Sequence, residues 1–530
     1  MRKEKSLKAS FKHRFLKKGL DWVLQLEALP NTKEQVVISL MYYIGIEDSE
    51  KSLQLNVDHK ALDAMGISNG EQIRVDGSYP EDPEDEIGSA HEFSLIVEED
   101  KENKSPSYSE AESKLESKPD LSKTQFVGYS LTQNVWQGFE MAEGQLIENM
   151  RFLIQEYMRA HGNEPIKKQP LLAPTLPNSL KVHTNFVIFR KYFVLPAKIN
   201  FLLHSKPKSA NGVMKRKLLK SAKEIFLSAE RDRLFSMFSR RYLQQFDSKY
   251  ALSKVYSHDK YLSFSRFAHS NLIGGLGYYS GTWLKQEPLN NGDVVSEQAP
   301  TTVFTCSPSR SFFPRGFLWD EGFHQLVLLH WDKRITMDVI SHWLRLADES
   351  GWIPREQILG SEARSRVPDK FVPQNPIHGN PPTLFLVIEK LVDQLTQKVD
   401  NSVLEDSSDK FGSTTSEDDR QSIIKFLGDN FESMKRWYNW FRETQKGKKP
   451  YSFYWRGRTV NHTLASGLDD YPRAFEPSEE EMHLDLFCWM AISNRVLSKV
   501  QSVLFPNEKN EFSEDIPNFQ KHLEGILSLF

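Results

Sequence analysis

The sequence has little of what marks several classes of protein. Among its 530 residues are two cysteines, Cys306 and Cys488, too few for a disulfide framework or a cysteine-based metal site. Its 68 Lys and Arg nearly balance its 71 Asp and Glu, a net charge of −3, which argues against binding to nucleic-acid phosphates. Basic residues interrupt the most apolar stretch, residues 186–203, so no membrane span is predicted.

Several signatures of enzyme classes are also missing. The first twenty residues are basic and lack the apolar core of a secretory signal, so no targeting segment is predicted. There is no P-loop, no His-Glu-x-x-His and no Gly-x-Ser-x-Gly, which removes the common nucleotide, zinc-protease and serine-hydrolase motifs. Gly275 and Gly277 begin like a dinucleotide fingerprint, but Ser280 stands where the third glycine is needed. A tight loop is the better interpretation.

The first part of the chain has the pattern of antiparallel β-structure. Residues 21–97 contain short runs rich in Val, Ile and Tyr, such as 35–45 and 91–97, separated by turn residues, and strands resume over 186–203. Apolar residues at helical intervals predict a helix over 138–160. We therefore predict an N-terminal antiparallel β domain over residues 1–205, in which the charged, Ser-rich segment 99–124 is a disordered insertion.

The rest of the chain changes to a helical period. Apolar stripes such as Ile424 to Phe441 recur at intervals of a few tens of residues up to the end of the chain, and the long loops between them include a flexible acidic one over 400–421. This pattern predicts an all-helical domain over 206–530. A toroid of paired helices is one possibility, and in such a toroid the loops at one end would carry the chemistry.

Aromatic and acidic residues are densest over residues 311–324. Here Trp319, Asp320 and Glu321 lie among several phenylalanines and two glycines. Aromatic faces and carboxylates together suit a saccharide, because the rings cover the C–H side of the sugar and the carboxylates accept hydroxyl hydrogen bonds. The alternative is a helix start, where acidic residues are favoured by the dipole. We favour the binding site, because one helix start does not need so many aromatic residues.

Two further segments repeat this chemistry less specifically. Trp352, Arg355 and Glu356 again combine an indole with charged side chains, although an adjacent Arg and Glu more often form a surface ion pair. Asp469 and Asp470 lie in a loop with a glycine and a proline. Glycosidic cleavage needs a carboxylic acid that protonates the leaving oxygen and a second carboxylate. An Asp in a rigid loop can be that acid, and the alternative is an Asx-type turn.

The last candidate segment follows shortly afterwards. Glu481, Asp485 and Trp489 have the spacing of one helical face. A solvated helix face is the alternative, but the apolar residues around them favour a helix that lines a cleft.

Six segments together resemble the eukaryotic processing α-glucosidases of glycoside hydrolase family 63, the mannosyl-oligosaccharide glucosidases. They occur in the family's order and span about a third of the chain. They are 308–325 (PSRSFFPRGFLWDEGFHQ), 351–368 (GWIPREQILGSEARSRVP), 380–384 (NPPTL), 454–458 (YWRGR), 466–474 (SGLDDYPRA) and 481–489 (EMHLDLFCW).

The resemblance implies a β-sandwich followed by an (α/α)6 toroid. It also implies removal of the outermost α-1,2-linked glucose from the triglucosylated N-glycan of nascent glycoproteins, with inversion and without a metal or cofactor. Matched residue by residue, Asp469 resembles the general acid. By the same match, the substrate is held by Trp319, Asp320, Glu321, Trp352, Arg355, Glu356, Glu481, Asp485 and Trp489.

The resemblance also sets expectations about the two ends. Family members act at the lumenal side of the endoplasmic reticulum membrane, where a transmembrane anchor precedes the β-sandwich, and they supply the general base from a segment that this chain does not contain. We therefore expect an incomplete toroid, and no hydrolysis by residues 1–530 alone. A trehalase-like toroidal glycosidase and a non-catalytic glycan-binding protein are the two alternatives.

Overall fold

The computed structural model shows a chain of mixed β and α structure. It describes residues 2–4, 8–18, 21–45, 56–58, 72–78, 91–99, 123–132, 134–161, 172–207, 228–256, 258–289, 292–396, 417–460, 464–469, 471, 473 and 475–528. Residues Met1–Tyr242 form one compact unit and Leu243–Phe530 a second. The two units divide between Tyr242 and Leu243, later in the chain than the domain boundary predicted between residues 205 and 206. The predicted domain bounds stay a prediction.

The first unit contains two antiparallel sheets. Strands β1, β2, β3, β10, β7, β6 and β5 form one sheet in that order, and β4, β9 and β8 form the other. The strands are β1 Arg2–Glu4, β2 Ala9–Lys18, β3 Asp21–Pro30, β4 Val37–Gly45, β5 Asn56–Asp58, β6 Gln72–Ser78, β7 His91–Glu99, β8 Gln125–Tyr129, β9 Phe186–Val194 and β10 Ala197–Pro207. The strands predicted over 35–45, 91–97 and 186–203 are confirmed as β4, β7 and the pair β9 and β10.

One apolar core includes residues of both sheets. Phe189 and Phe193 of β9 share it with Leu26 of β3 and Phe201 of β10. Tyr42 of β4 stacks on Phe189 with ring centroids 5.2 Å apart. Because every residue of β9 is buried, this strand is covered on both faces, which explains why its residues other than Arg190 and Lys191 are apolar or aromatic.

Two helices pack on these sheets. Helix α1 (Gly138–His161) confirms the helix predicted over 138–160, and its Ala142 and Leu146 share a core with Ile188 of β9. Helix α2 (Ser228–Tyr250) crosses from the first unit into the second. Phe235 in its first half packs beside Leu16 and Ile96 of the seven-stranded sheet, so this half belongs with the strands.

The second unit is mainly helical, but it contains a long β-hairpin over residues 276–306. Strands β11 and β12 pair antiparallel, so the prediction of helices from residue 205 to the chain end is wrong here. The β-branched residues Thr301, Thr302 and Val303 favour a strand over a helix. The elements are α3 Asp259–Ile273, β11 Leu276–Leu289, β12 Gly292–Cys306, α4 Leu318–Trp331, α5 Lys333–Arg345, α6 Gly360–Ser365, α7 Leu384–Thr396, α8 Glu417–Thr444, α9 Leu484–Leu504 and α10 Ile516–Leu527.

Helices α5, α7, α8 and α9 surround the core of this unit. Trp343 of α5, Phe385 of α7, Trp437 of α8 and Met490 of α9 all belong to it. Phe385 and Trp437 stack with ring centroids 5.4 Å apart. The stripe predicted over residues 424–441 is thus the buried face of α8, as its period of 3.6 residues requires.

Two predicted flexible segments fall almost wholly outside the described residues. The insertion at 99–124 is described only at its ends, and the loop at 400–421 only from Glu417, where α8 begins. Residues 417–421 are helical, since three acidic residues in the first turn of α8 favour the helix N-terminus. Separately, among the helices within the described ranges, none is both long and apolar enough to cross a membrane.

Gly322 of α4 provides a test of how closely α4 and the start of α7 pack. A Cβ at Gly322 would lie 2.2 Å from Thr383 Oγ1, whereas a Cβ at Gly428 of α8 would meet nothing closer than 4.0 Å. We expect Gly322→Ala to lower the free energy of unfolding by about 1–3 kcal/mol. Gly428→Ala should raise it by about 0.5–1 kcal/mol, because alanine favours an exposed helix. Urea denaturation measures both, and equal effects would contradict the close packing.

Candidate active site

The N-terminus of α4 presents Trp319 and Asp320. The residue before the helix, Phe317, makes no side-chain cap. A cap comes instead from Asn380, whose Oδ1 accepts a hydrogen bond from the Trp319 N–H at 2.9 Å. The Thr383 hydroxyl donates to the Trp319 carbonyl at 2.6 Å. Two side chains from the segment before α7 therefore fix the first turn of α4, and with it the direction of Trp319 and Asp320.

The loop that carries Asp469 lies against this turn. A short 3-10 helix, Leu464–Ser466, leads into Gly467, which has a φ of 71°. A Cβ at Gly467 would lie 2.6 Å from the Trp319 ring, so only glycine allows both this backbone conformation and this contact. The Ser466 hydroxyl accepts the Leu468 N–H at 3.1 Å. Asp469 follows on the exposed part of the loop, and its neighbour Asp470 lies outside the described residues.

Asp320 is in an environment that favours its protonated form. The side chain is half-buried, and burial raises the pKa of Asp320, with a smaller contribution from the neighbouring Glu321. The positive charges of His324 and Arg355 act in the opposite direction on this pKa. A carboxyl group of this kind can accept hydroxyl hydrogen bonds when ionised and can donate a proton when neutral.

Glu321 does not share the environment of Asp320. Its side chain is completely buried, at 0% exposure. Its Oε2 accepts hydrogen bonds from the Thr305 hydroxyl at 2.6 Å and from the Cys306 N–H at 2.9 Å, and its Oε1 accepts one from Gln325. Successive side chains on a helix point about 100° apart, so the residue after Asp320 faces the protein interior. The predicted contact of Glu321 with substrate is therefore not supported.

Cys306, Glu321 and His324 bring three potential metal ligands within 4.8 Å of one another. Both Glu321 oxygens already accept hydrogen bonds from protein donors. Burial raises the pKa of the Cys306 thiol, which keeps it protonated, whereas metals bind the thiolate. Hydrogen bonds therefore account for the closeness of these three residues. The bonds from Thr305 and Cys306 to Glu321 connect β12 to α4.

Two of the three predicted residues in the segment after α5 are also structural. Trp352 is 1% exposed, and its Nε1–H donates to the carbonyl of His378 at 2.9 Å. The Arg315 Nε donates to Glu356 Oε1 at 2.6 Å, and each side chain of this pair is 6% exposed. Neither Trp352 nor Glu356 is positioned to contact a ligand. Arg355 keeps its candidacy, because it is half-buried and its charge acts on Asp320.

The last three predicted residues do not share one helical face, so that prediction is wrong. Helix α9 begins only at Leu484, with His483 as its N-cap, and Glu481 precedes it in a turn. Glu481 forms a buried two-point ion pair with Arg458. Trp489 packs against the core of the unit. The spacing was helical, but the helix starts after its first member.

Asp485, in the first turn of α9, is held as a carboxylate. Arg473 donates to both of its oxygens, at 3.3 and 3.0 Å, and the Trp455 Nε1–H donates to Oδ2 at 2.9 Å. Burial alone would raise the pKa of Asp485, but these hydrogen bonds and the charge of Arg473 hold it below its usual value. Arg473 ends the loop that carries Asp469, so this ion pair anchors the far end of that loop.

Three residues that contact the site were not predicted from the sequence: Asn380, Arg473 and Trp455. Each lies in one of the segments that carry the family resemblance, NPPTL, SGLDDYPRA and YWRGR. The signal for them was therefore present as a motif. What each one touches could not be read from the motif.

Comparison with known proteins identifies the family of this chain. The model of the glycosyl hydrolase family 63 C-terminal domain matches residues 228–526. That is more than half of the chain, and the chain belongs to glycoside hydrolase family 63. The resemblance stated from the six segments is thereby confirmed.

Curated relatives carry matching names. The chain is 42% identical over 281 residues to the mannosyl-oligosaccharide glucosidase GCS1 of Arabidopsis thaliana, covering 50% of this chain and 31% of that protein. It is 30% identical over 437 residues to a probable mannosyl-oligosaccharide glucosidase of Schizosaccharomyces pombe, covering 74% and 51%. The chain thus spans about a third to a half of the length of these relatives.

A solved structure also matches at low similarity. The GH63 mannosylglycerate hydrolase of Thermus thermophilus, in complex with Tris, aligns at 15% identity over 42% of this chain and 61% of that chain. The TM-score of 0.27 is too low to support a structural argument.

The pair of Arg315 and Glu356 tests whether Glu356 is structural. Arg315→Met leaves a buried carboxylate without its main partner, so we expect the free energy of unfolding to fall by about 3 kcal/mol. The double variant Arg315→Met and Glu356→Met should lose less than the single one.

The control is Arg495→Met, which breaks a pair with Glu389 in which Arg495 is 51% exposed. It should cost less than about 1 kcal/mol. Denaturant unfolding measures all three variants. A loss at Arg315 no larger than at Arg495 would show that Glu356 does not depend on this partner.

Proposed function

We propose that this chain acts as a family 63 glycosidase on a glycan that ends in α-1,2-linked glucose. The observation that supports this most directly is the contact between the Asp469 loop and Trp319, beside Asp320 with its raised pKa. It brings an indole, the half-buried carboxyl group of Asp320 and the loop of Asp469 together, a combination that suits a saccharide. The mannosyl-oligosaccharide glucosidase names of the relatives suggest the substrate.

In this proposal Trp319 and Asp320 hold the glucose that is removed. The indole covers the C–H face of the ring, and the Asp320 carboxylate accepts hydrogen bonds from ring hydroxyls. Arg355 keeps a positive charge near this carboxylate and lowers the cost of ionising it. Binding by Asp320 is therefore strongest above its raised pKa.

Asp469 is the proposed general acid. Its proton passes to the glycosidic oxygen as the bond from that oxygen to the anomeric carbon breaks. A water molecule attacks the anomeric carbon from the opposite face and gives its proton to a second carboxylate, the general base, to which this proposal assigns no residue, so that an α-linkage gives a β-product. The raised pKa of Asp320 makes it the second candidate for the acid, and the experiment below separates the two.

The fold, the full substrate and the cellular location are proposed from the same family resemblance. The two sheets of the first unit would be a β-sandwich over residues 1–205, and the helices of 206–530 would belong to an (α/α)6 toroid. The substrate would be the triglucosylated N-glycan of nascent glycoproteins, met on the lumenal side of the endoplasmic reticulum membrane. Arrangement of the helices in a toroid would place the Asp320 and Asp469 loops at one end.

Asp469→Asn tests the acid. The assay follows an oligosaccharide that ends in α-1,2-linked glucose, with and without azide. Azide can attack the anomeric carbon directly, so β-glucosyl azide forms even where no carboxylate activates water, provided that the acid is present. We expect the unmodified chain to form the azide product and the variant to form at least about a hundredfold less of it, while the variant still binds a glucose-mimicking iminosugar.

The control for this assay is Asp429→Asn, an exposed aspartate on α8. It should leave product formation unchanged. Full activity in Asp469→Asn, with loss in Asp320→Asn, would transfer the acid role to Asp320. Binding of the oligosaccharide without any product from the unmodified chain would favour a glycan-binding protein.

Asp320→Asn tests glucose binding by calorimetry with the same cationic iminosugar. We expect affinity to fall by about 1.5–3 kcal/mol, the scale of a charge-assisted hydrogen bond. Because burial raises the pKa of Asp320, its carboxylate is protonated at a higher pH than an ordinary aspartate. Affinity of the unmodified chain should fall as the pH drops through that raised pKa, and this pH dependence should disappear in the variant.

Asp332→Asn is the matched control, at the other end of α4. Asp332 caps α5 through the N–H groups of Arg334 and Ile335, and asparagine caps a helix equally well. This variant removes the same charge and should bind the iminosugar normally. Unchanged affinity in Asp320→Asn would remove Asp320 from the glucose site.

A further inference from the structure

We propose that Asn380 is a positioning residue that sets the relation between the Asp320 helix and the Asp469 loop. The inference rests on the proposed function, because it assigns to this asparagine the alignment of the proposed binding carboxylate with the proposed acid. Asn380 itself is 2% exposed, so it acts through Trp319 and Ala465 and not on the substrate.

The side chain of Asn380 uses its two ends for two different segments. Its Oδ1 accepts the Trp319 N–H at 2.9 Å, and its Nδ2 donates to the Ala465 carbonyl at 3.3 Å. Trp319 immediately precedes Asp320, and Ala465 lies in the 3-10 turn that leads to Asp469. One planar amide thus spans the distance between the two segments.

Neither aspartate nor alanine can make both bonds in this position. An aspartate keeps an acceptor for the Trp319 N–H but turns an oxygen towards the Ala465 carbonyl, which repels it. An alanine loses both bonds. Pro381 directly follows Asn380 and favours an extended backbone there, which limits the directions that the amide can take.

Besides the hydrogen bond from Asn380, the loop of Asp469 is attached at two further points. Gly467 rests on the Trp319 ring, and Arg473 is paired with Asp485. The Ala465 bond fixes the start of the loop, and the Arg473 pair fixes its end. Asp469 lies between these two ends on the exposed part of the loop.

Amide hydrogen exchange tests this positioning without any need for turnover. We compare peptides that cover residues 317–321 and 464–471 in the unmodified chain and in two variants. In Asn380→Ala both peptides should exchange about five to ten times faster, since both segments lose a bond. In Asn380→Asp only the peptide over 464–471 should do so, because the Trp319 N–H keeps its acceptor.

The control is Asn430→Ala on α8. Asn430 is also buried, at 6% exposure, and its Nδ2 donates to Ser341 Oγ and to the Phe426 carbonyl. This variant should destabilise the unit but leave exchange over 464–471 as it was. Equal acceleration over 464–471 in Asn430→Ala and Asn380→Asp would mean that Asn380 contributes only general stability, and would overturn the proposal.

A leaving-group comparison tests the consequence for the acid. Fluoride leaves α-glucosyl fluoride with little help from a proton, whereas the oligosaccharide alcohol needs one. Asn380→Asp should lower oligosaccharide turnover by roughly a hundredfold, measured as glucose plus β-glucosyl azide, and lower fluoride release far less.

The two outcomes that contradict the account are distinct. If both substrates lose activity equally in Asn380→Asp, this asparagine does not position the acid and the proposal fails. If the unmodified chain turns over neither substrate even with azide, the proposed function fails, and the exchange measurement still decides whether Asn380 holds the loop.

Discussion

The first turn of α4 needs a hydrogen-bond partner from outside the helix, and much of the site depends on how that need is met. Helices leave their first N–H groups without partners, and Phe317 provides no side-chain cap. The amide of Asn380 fills this role and reaches Ala465 at the same time. A requirement of helix formation therefore also decides where the loop of Asp469 begins.

The charged residues around this junction divide into two groups. The first group consists of three buried or partly buried ion pairs: Arg315 with Glu356, Arg458 with Glu481, and Arg473 with Asp485. A buried charge without its partner is strongly destabilising. These ion pairs therefore stabilise the loops that carry them, and their charged groups are already occupied by protein partners. Asp469 by contrast is exposed and Asp320 is half-buried, and the environment of Asp320 raises its pKa.

The sequence predicted the segments of the site better than the roles of their residues. The motifs identified the turn of Trp319 and Asp320 and the loop of Asp469, and the structure brings these together. Glu321 was misassigned because the period of a helix turns it away from its neighbour Asp320. Glu481 was misassigned because the helix begins after it, at Leu484.

The fold shows the same division between local pattern and distant contact. The apolar periods predicted β4, β7, β9, α1 and α8, since each depends mainly on its own residues. The hairpin of β11 and β12 was missed, because helical patterns on both sides of it set the expectation. Asn380 contacts Trp319, which lies 61 positions earlier in the chain, and Ala465, which lies 85 positions later. No local sequence pattern contains such contacts.

A crystal structure of the chain with a glucose-mimicking iminosugar would test the central claim most directly. The account predicts the sugar ring on the face of Trp319, its nitrogen and hydroxyls bonded to Asp320, and Asp469 directed to the side of the ring where the leaving oxygen would be. The Asn380 bonds to Trp319 and Ala465 should both be present. An inhibitor bound away from Trp319, or an Asp469 loop detached from that residue while the inhibitor is bound, would contradict it.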